Sequence, residues 1–524
     1  MSDNTLIQAL QNPTLYDHPI TRFQVIETHI SWVILTGLYA YKIKKPVNLG
    51  FLDFSNLEKR HYYCQQEVML NQRLAPDIYL GVIAIGGTTK TPTFNGNPII
   101  EYAVKMRQFS QSARLDAVLD RNELEVVHIN QLADQIAQFH SKAETASNNS
   151  PHGEPTTVLE PIDKNFQQIL PFLSERKDIQ QLKMLEEWSL ANYKQLLPQI
   201  KQRKADGFVR NCHGDMHLAN IALLDEKITI FDCIEFNESL RWIDVMSEVA
   251  FITMDLIDRN KPTFAARLLD RYLQRSGDYS GLALLKFYQV YRALVRAKVA
   301  IIQANDTTAT LTDKQHTIKL YKEYTGLAEI FTHAPPITLF ITHGVSGSGK
   351  TTLTQPLLEK CNLIRIRSDI ERKRLFGMQA EDHTDTAIYH KVYGEDAHQH
   401  TYHHLLTITK QICQSGFSVI VDATFLKQTQ RQQFQNLARE LNILFVILDF
   451  HADKQCCNNR IKLRANTKSD ASEATSEVLQ HQLSTEEPLT EHEADHIIHI
   501  DSSTENASEQ LLDAHNALSL HLNH

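Results

Sequence analysis

The chain has 524 residues, with 53 Lys and Arg against 62 Asp and Glu, so its formal net charge is −9 with His neutral. This length suits about three compact units, and 42% hydrophobic with 22% charged residues excludes a disordered or fibrous chain. No run approaches the ~18 apolar residues of a membrane helix, and the acidic balance disfavours a general nucleic-acid or membrane binder.

The start of the chain, MSDNTLIQALQNP, is polar and acidic and shows no secretory signal. Seven cysteines form no CxxC pair and no regularly spaced framework, which indicates reduced thiols. Together these features predict a cytoplasmic protein.

The first 107 residues predict strands and one helix. Strand spacing runs over residues 30–43 on both sides of a turn at Thr36-Gly37, and a helix that Ser55 caps is predicted over 55–74. Further strands are predicted at 78–85 and 99–106. Residues 124–332 are mostly helical in pattern, with short strands at 208–211, 221–224 and 228–231.

Two of these short strands flank the motif His213-Gly214-Asp215-Met216-His217-Leu218-Ala219-Asn220, and Asp232 follows the next strand. A turn there presents Asp215 as a base, Asn220 offers an amide oxygen, and Asp232 supplies a carboxylate for a metal. Phosphoryl transfer needs a positioned hydroxyl acceptor and Mg²⁺ across the phosphates. The alternative is a structural turn in which Asp215 and His217 act as caps.

A boundary is predicted at His333-Ala334-Pro335-Pro336, because a Pro pair cannot continue a helix. Beyond it, strands alternate with helices, which predicts a buried, mostly parallel sheet. The strands are expected at 337–342, 363–367, 417–422, 443–449 and 497–500.

The segment Gly344-Val345-Ser346-Gly347-Ser348-Gly349-Lys350-Thr351 fits the Walker A pattern G-x-x-x-x-G-K-[ST] between a strand and a helix. Its glycines let backbone N–H groups surround phosphate oxygens, and the helix adds the positive end of its dipole. Lys350 is expected to reach the β- and γ-phosphates and Thr351 to ligate Mg²⁺, with the adjacent Thr352 also in the nucleotide site. The alternative is a glycine turn that binds nothing.

Three further features complete this second site. Asp422 ends a predicted strand, where it is expected to hold Mg²⁺ through water. Asp369, in Arg367-Ser368-Asp369, is placed to accept a hydroxyl proton, or alternatively to cap a helix. Arg460 and Arg464 share a helical face that either closes over the transferring phosphate or faces solvent.

The segment His492-Glu493-Ala494-Asp495-His496 matches the H-E-x-x-H zinc-protease pattern. That chemistry needs a helix with both His on one face, whereas a strand is predicted immediately after this segment. We therefore do not assign zinc chemistry to it.

Residues 337–501 resemble the small P-loop kinases, a group with gluconate kinase-like, chloramphenicol phosphotransferase-like and polynucleotide 5′-kinase-like members. In that family an Asp at the end of the second strand faces the acceptor hydroxyl and a lid carries Arg residues. The resemblance assigns these parts to Asp369, Arg460 and Arg464.

Roughly residues 20–330 resemble the aminoglycoside phosphotransferase and choline-kinase-like superfamily, whose fold is that of protein kinases. The resemblance implies that Asp215 is the catalytic base and that Asn220 and Asp232 are metal ligands. It also implies a lysine on the third strand that holds the α- and β-phosphates, with Glu67 as its ion-pair partner.

Two lysines compete for that position, because Lys42 and Lys44 lie on the same strand face. We favour Lys42 and keep Lys44 as its alternative. A solvated edge-strand charge is a further alternative for both residues. Asp244 and Glu248 are expected to brace the catalytic loop, unless they are ordinary acids on a helix surface.

The sequence departs from protein kinases, since His-Gly-Asp replaces His-Arg-Asp and no G-x-G-x-x-G precedes the strand. Cys233-Ile234-Glu235 also replaces Phe-Gly after Asp232. These departures favour a small-molecule kinase over a protein kinase.

The whole chain resembles a bacterial two-domain family that fuses an aminoglycoside-phosphotransferase-like domain to a P-loop ATP-binding domain. We expect a bilobal kinase-like α+β domain at 1–332, with an N-lobe to about residue 107 and a C-lobe from about residue 108. A doubly wound α/β P-loop domain is expected at 337–524.

The expected function of this bifunctional chain is ATP- and Mg²⁺-dependent phosphotransfer to a small-molecule hydroxyl by at least one of its two nucleotide sites. The alternatives are a polynucleotide 5′-hydroxyl kinase in the second domain and a non-catalytic ATP-dependent regulator. Nucleic acid is the less favoured partner because phosphate contacts need Lys or Arg. The acceptor and the oligomeric state stay open.

Overall fold

The computed structural model describes residues 3–48, 50, 52–305, 310–380, 382, 392, 394–467, 472–504 and 506–522. It separates into two compact units. Unit 1 comprises Met1–Leu132, Gln138–Ile162 and Ile200–Asp255, and unit 2 comprises Ala133–Ala137, Asp163–Gln199 and Leu256–His524. In the described parts of the chain, no helix combines the length and the apolar character needed to cross a bilayer.

The strands follow one another in this order: β1 (Gln24–Glu27), β2 (Ser31–Leu35), β3 (Tyr39–Lys44), β4 (Tyr79–Gly87), β5 (Pro92–Phe94), β6 (Ile99–Arg107), β7 (Val209–Asn211), β8 (Ile221–Leu224), β9 (Lys227–Ile230), β10 (Trp242–Asp244), β11 (Thr338–His343), β12 (Ile364–Arg367), β13 (Val419–Asp422), β14 (Leu444–His451) and β15 (Ile497–Asp501).

The α-helices of the described residues are α1 (Asp3–Ala9), α2 (Leu57–Asn71), α3 (Leu115–Asp120), α4 (Val126–Lys142), α5 (Pro155–Ile169), α6 (Arg176–Ala205), α7 (Val245–Asp258), α8 (Pro262–Ser276), α9 (Leu282–Ala304), α10 (Leu311–Thr332), α11 (Lys350–Cys361), α12 (Ser368–Leu375), α13 (Glu395–Gln414), α14 (Gln428–Leu441), α15 (Lys454–Thr467), α16 (Ser476–Thr485) and α17 (Ala507–Leu522).

Unit 1 contains an antiparallel sheet in the order β1-β2-β3-β6-β4-β5. Gly37 makes the predicted turn between β2 and β3 with φ +98°, a conformation that side chains with a Cβ rarely adopt. Alternation along β3 buries Tyr41 and Ile43 in one core cluster and directs the intervening lysines to the opposite face. Helix α2 packs against the sheet through Cys64, beside the buried Val104 of β6.

The predicted cap of helix α2 is wrong by one residue. The helix begins at Leu57, and its cap is Asn56, whose side-chain oxygen accepts the N–H of Lys59 at 2.8 Å. The Ser55 hydroxyl instead donates to Asp53 Oδ1 at 2.6 Å. Because the nearby carboxylate engages Ser55, the next polar residue takes the capping position.

Short strands hold the motif segment of unit 1. Strands β8 and β9 form an antiparallel hairpin between Asn220 and Asp232. Strand β7, which precedes the motif, pairs with β10, a strand that the sequence analysis did not predict. A three-residue strand gives too short a pattern to distinguish from a loop, and β10 exists only through its pairing with β7.

Unit 2 contains a parallel five-stranded sheet in the order β12-β13-β11-β14-β15, which confirms the predicted parallel α/β class. Phe340, Ile420, Val446 and Leu448 form its buried centre. Ala266 of helix α8 belongs to the same core cluster, and α8 packs against α11.

Buried polar contacts continue this packing within unit 2. Arg365 of β12 lies 3.0 Å from Asp270 of α8, and both side chains are buried. Tyr279 donates a hydrogen bond of 3.0 Å to Glu371 of α12. Helical residues before the Pro pair thus share a compact unit with the P-loop sheet, while the domain limits at 332 and 337 stay a prediction.

Candidate active sites

The loop that carries Asp215 is held from below by a buried carboxylate. Glu248 of α7 accepts the backbone N–H groups of His213 at 3.0 Å and Gly214 at 2.7 Å. Gly214 has φ +91°, and a Cβ there would lie 2.7 Å from the Leu240 carbonyl, so only glycine fits the turn. The expected bracing role of Glu248 is confirmed.

The bracing role expected of Asp244 stays a prediction, since its contacts differ from those of Glu248. Its carboxylate receives Arg203 Nε at 2.7 Å and the Met246 N–H at 2.9 Å. Both Asp244 and Glu248 are buried, so neither is an ordinary acid on a helix surface. Asp244 therefore stabilises the junction of β10 and α7.

Asp215 is positioned by its neighbours in the motif. Asn220 donates its amide N–H to Asp215 Oδ2 at 2.9 Å and to the Asp215 carbonyl at 3.0 Å. His217 Nε2 lies 3.5 Å from the same carboxylate oxygen. The Asp215 side chain is 38% exposed, so the carboxylate is fixed in direction and still accessible to an acceptor.

Asp232 begins the segment after β9 with φ +63°, a strained conformation for a residue with a Cβ. Its N–H donates to Tyr79 Oη at 3.1 Å, and its Oδ1 lies 2.9 Å from Lys42 Nζ. His213 Nε2 contacts the Phe231 carbonyl at 2.9 Å, which links this segment to the catalytic loop. The structure therefore brings the predicted metal ligand beside the predicted phosphate lysine.

Both candidate lysines contact Glu67 of α2. Lys42 Nζ lies 2.7 Å from Glu67 Oε1, and Lys44 Nζ lies 2.7 Å from Glu67 Oε2. Lys44 also pairs with Glu235. The Lys44 side chain is only 1% exposed, whereas the Lys42 side chain is 15% exposed and also touches Asp232. Lys42 is therefore the more accessible of the two lysines, whereas Lys44 is enclosed between Glu67 and Glu235.

The charged residues around Glu67 differ in the direction in which their pKa values are shifted. Burial alone would lower the pKa of Lys42, but the Asp232 and Glu67 carboxylates outweigh it and raise that pKa well above its ordinary value. Burial would raise the pKa of Glu67, but Lys42 and Lys44 hold it well below its usual range. Burial raises the pKa of Glu235. Sequence reasoning missed Glu235, and the two lysines at strand spacing were the signal for a second carboxylate.

The donor set of this site suits Mg²⁺. The amide nitrogen of Asn220 is engaged by Asp215, which leaves the amide oxygen as its ligand atom. Asp232 adds a carboxylate, and oxygen donors of this kind are the ligands that Mg²⁺ prefers. A bound Mg²⁺ would supply neutralisation of phosphate charge.

The phosphate loop of unit 2 leads from β11 into α11. Gly347 has φ +83°, and a Cβ there would lie 2.6 Å from the Cys457 carbonyl. Lys350 Nζ donates to the carbonyls of Gly344 at 2.8 Å and Val345 at 2.7 Å. Burial lowers the pKa of Lys350 to about 8.

Thr351 and Asp422 come together as the sequence analysis expected. The Thr351 hydroxyl donates to Asp422 Oδ2 at 2.7 Å, at the end of β13. A hydroxyl and a carboxylate beside a phosphate loop fit a hard cation such as Mg²⁺.

The other predicted residues of this half surround one cavity of about 1930 Å³. Its lining includes these predicted residues: Ser346, Gly347, Gly349, Lys350, Thr351, Thr352, Asp369, Asp422, Arg460 and Arg464. Val345 and Ser348, which belong to the loop itself, are buried. Arg267 of α8 also lines the cavity, and no motif predicted it because it lies before the predicted domain boundary.

Asp369 and Arg460 occupy defined positions in this cavity. Asp369 lies in the first turn of α12, whose N-cap is Arg367, so the capping alternative for Asp369 is wrong. Arg460 donates to Ser502 Oγ at 2.9 Å and to the Ser502 carbonyl at 2.7 Å, and it reaches the Gly347 carbonyl at 3.3 Å. The face that carries Arg460 and Arg464 therefore lines the cavity.

The H-E-x-x-H segment has no protease-like geometry. It forms a 3₁₀ helix over Glu491–His496, and Glu493 binds Arg431 Nε at 2.7 Å. A 3₁₀ turn does not place residues four apart on one face as an α-helix does, and the glutamate is engaged elsewhere.

Comparisons with known proteins match both halves of the chain. Residues 113–285 match the family model described as the phosphotransferase enzyme family, and residues 339–489 match that of an AAA domain. Uncharacterized proteins of Mycobacterium bovis and Mycobacterium tuberculosis are each 27% identical over 461 residues, covering 87% of this chain and 89% of theirs.

Among solved structures, a gluconokinase from Sinorhizobium meliloti is 18% identical, with 36% of this chain and 97% of that chain covered and a TM-score of 0.26. A choline/ethanolamine kinase family protein from Mesorhizobium loti is 11% identical, with 63% and 100% covered and a TM-score of 0.35.

The two family matches agree with the two resemblances drawn from the motifs. The chain is a phosphotransferase-type enzyme in which residues 113–285 match the phosphotransferase enzyme family and residues 339–489 match an AAA domain.

Proposed function

We propose that the chain transfers the γ-phosphate of ATP to a hydroxyl of a small molecule at the site around Asp215, and that the P-loop forms a second nucleotide site. The observation that carries the proposal is a connected set of residues in unit 1. Asn220 contacts Asp215, and the β8–β9 hairpin joins Asn220 to Asp232. Lys42 in turn contacts both Asp232 and Glu67.

Each group has a part in the transfer. Asp215 accepts the proton of the acceptor hydroxyl. The hydroxyl oxygen bonds to the γ-phosphorus, and the bond between the γ-phosphorus and the bridging β-phosphate oxygen breaks, which releases ADP. Lys42 holds phosphate charge, and Asn220 and Asp232 would hold Mg²⁺. Glu67 and Glu248 act as positioning residues, since they orient Lys42 and the catalytic loop.

The second site has the parts for a transfer of its own. Lys350 and the loop would hold the nucleotide phosphates, Thr351 and Asp422 would hold Mg²⁺, and Asp369 would orient an acceptor in the same cavity. Its volume of about 1930 Å³ exceeds the ~300–1,000 Å³ of ordinary ligand pockets, which leaves room for both nucleotide and acceptor. Seven cysteines with no CxxC pair and no regularly spaced framework suit a cytoplasmic enzyme.

The test follows labelled γ-phosphate from ATP into a pooled metabolite extract and, separately, into a 5′-hydroxyl oligonucleotide. Asp215→Asn is expected to lower transfer to a metabolite by about 10²–10⁴-fold while nucleotide binding persists. Asp225→Asn is the matched control, because Asp225 is an exposed turn residue of the hairpin between Asn220 and Asp232. Asp369→Asn tests the second site in the same assay.

Label lost only in Asp215→Asn supports the proposal, and label lost only in Asp369→Asn moves the chemistry to the P-loop site. Label on the oligonucleotide supports the polynucleotide kinase. No transfer with ATP bound contradicts the proposal and favours the ATP-dependent regulator.

A further inference from the structure

A row of histidines and one aspartate crosses three parallel strands of unit 2, outside both candidate active sites. His343 of β11 stands opposite Asp449 of β14, and Asp449 stands opposite His499 of β15. Residues in one register on neighbouring parallel strands direct their side chains to one face of the sheet. His451 follows Asp449 by two positions, so alternation returns it to that face.

The side-chain atoms of this row converge. Asp449 Oδ2 lies 2.5 Å from His451 Nε2 and 2.8 Å from His499 Nδ1, and the three potential ligand atoms lie within 4.8 Å of one another. Zinc binds imidazole nitrogen and carboxylate oxygen at about 2.0–2.2 Å in tetrahedral geometry. Small rotations of two surface histidines would bring these three atoms to such distances.

A buried histidine supports the carboxylate from the other side. His343 Nδ1 contacts Asp449 Oδ1 at 2.7 Å, which is the arrangement that orients a metal-ligating group. Among the described residues, His343 Nε2 has no hydrogen-bond partner although it is buried, and Glu486 Oε1 is 3.6 Å away. A buried ring nitrogen without a partner is costly, and this one belongs to a cavity that Asp449 and His451 also line.

We propose that Asp449, His451 and His499 bind a divalent transition-metal ion of the zinc type. The cavity of about 470 Å³ beside them, which Glu486 and His343 also line, is the place for a further ligand such as water. Two imidazoles select zinc-like ions over Mg²⁺, whose preferred ligands are oxygens. This site is separate from the Mg²⁺ positions proposed at Thr351 and Asp422, and it does not depend on the proposed phosphotransfer.

The test is a Zn²⁺ titration of the full chain without an affinity tag, in competition with a chromophoric chelator. The variant carries His451→Gln together with His499→Gln, two residues whose side chains are 64% and 68% exposed, so folding is expected to persist. The matched control is His492→Gln, an exposed histidine of the H-E-x-x-H segment. Circular dichroism verifies the fold of each variant.

Wild type and His492→Gln are expected to bind one Zn²⁺ with the same affinity, and the double variant is expected to bind it at least about 100-fold more weakly. Millimolar Mg²⁺ is expected not to displace the ion. Equal affinity in the double variant, or no stoichiometric Zn²⁺ binding by folded wild type, would overturn the proposal and leave a hydrogen-bonded cluster without a metal.

Discussion

The two candidate sites hold their lysines in opposite electrostatic states. Lys42 in unit 1 lies within 2.9 Å of carboxylate oxygens from both Glu67 and Asp232. Lys350 in unit 2 donates instead to the neutral carbonyls of Gly344 and Val345. One lysine is already neutralised by acids, and the other is buried as a cation among dipoles.

The difference predicts how each proposed site would respond to a triphosphate. In unit 1 the carboxylates fix the lysine, and a nucleotide must share that lysine with them. In unit 2 burial lowers the pKa of Lys350 to about 8, so an arriving phosphate relieves an existing electrostatic cost. The P-loop lysine therefore reduces the stability of the ligand-free protein, as residues placed for binding commonly do.

The largest expected effect is on the lysine cluster of unit 1. Glu67→Gln removes the anion shared by Lys42 and Lys44, and breaking a buried pair in this way is expected to lower the free energy of unfolding by about 3–5 kcal/mol. Hydrogen–deuterium exchange of unit 1 peptides across a denaturant series measures the change. Glu58→Gln, at an exposed position of the same helix, should change stability by less than about 1 kcal/mol. Equal losses of stability in Glu67→Gln and Glu58→Gln would contradict the stabilising role of the buried Glu67 carboxylate.

In unit 2, loss of the buried lysine is expected to raise the free energy of unfolding instead of lowering it. Lys350→Met removes a buried cation whose pKa burial lowers to about 8, so the charge opposes folding. After the lost carbonyl contacts, the free energy of unfolding at pH 7 should rise by about 1–3 kcal/mol. Denaturation followed in unit 2 peptides measures it, with Lys360→Met, exposed on the same helix, as control.

The stability of the wild type depends on pH because the pKa of Lys350 is lower in the folded chain than in the unfolded one. The unfolded chain binds more protons than the folded one between about pH 8 and 10.5, so wild-type stability gains from rising pH in that window. The advantage of Lys350→Met is therefore full below about pH 8 and fades as the pH approaches 10.5. A constant difference across this range would mean that burial of charge is not its source.

A smaller effect accompanies nucleotide binding. Because burial lowers the pKa of Lys350 to about 8, binding of ATP with Mg²⁺ at the P-loop near that pH should take up a fraction of a proton. Lys42 should take up almost none, because its pKa already lies well above 10.5. Calorimetric titration in buffers of different ionisation enthalpy measures the uptake. It should vanish in Lys350→Met and persist in Asp215→Asn.

The smallest expected effect concerns the helix that carries Glu67. Asn56→Ala removes the side-chain cap of α2 and should lower the free energy of unfolding by about 1 kcal/mol. Ser55→Ala should stay within about 0.5 kcal/mol, since Ser55 does not cap the helix. A larger loss for Ser55→Ala than for Asn56→Ala would restore the original prediction.

Local patterns predicted much of the fold. Strand spacing of apolar residues predicted β2 and β3, and the alternation of strands with helices predicted the parallel sheet. The motif around Asp215 and the Walker A pattern located the two candidate sites. Strand spacing even placed Lys42 and Lys44 on one face, because side-chain direction has period two. These features depend on residues that are close in sequence.

Features that depend on distant partners were not predictable in this way. The pairing of β10 with β7, the contact of Glu235 with Lys44 and the place of Arg267 in the P-loop cavity each join segments far apart in the chain. The exchange of Ser55 for Asn56 as the cap arose because Asp53 engages the serine hydroxyl. Propensity alone cannot decide such a competition.

Helix α8 bears on where the chain can be divided. It lies within the segment that matches the phosphotransferase family, yet its Asp270 pairs with Arg365 of the P-loop sheet, and Tyr279 just beyond it binds Glu371. A fragment that begins at the Pro335-Pro336 pair would lose both of these contacts. A P-loop fragment that keeps them must therefore begin upstream of α8.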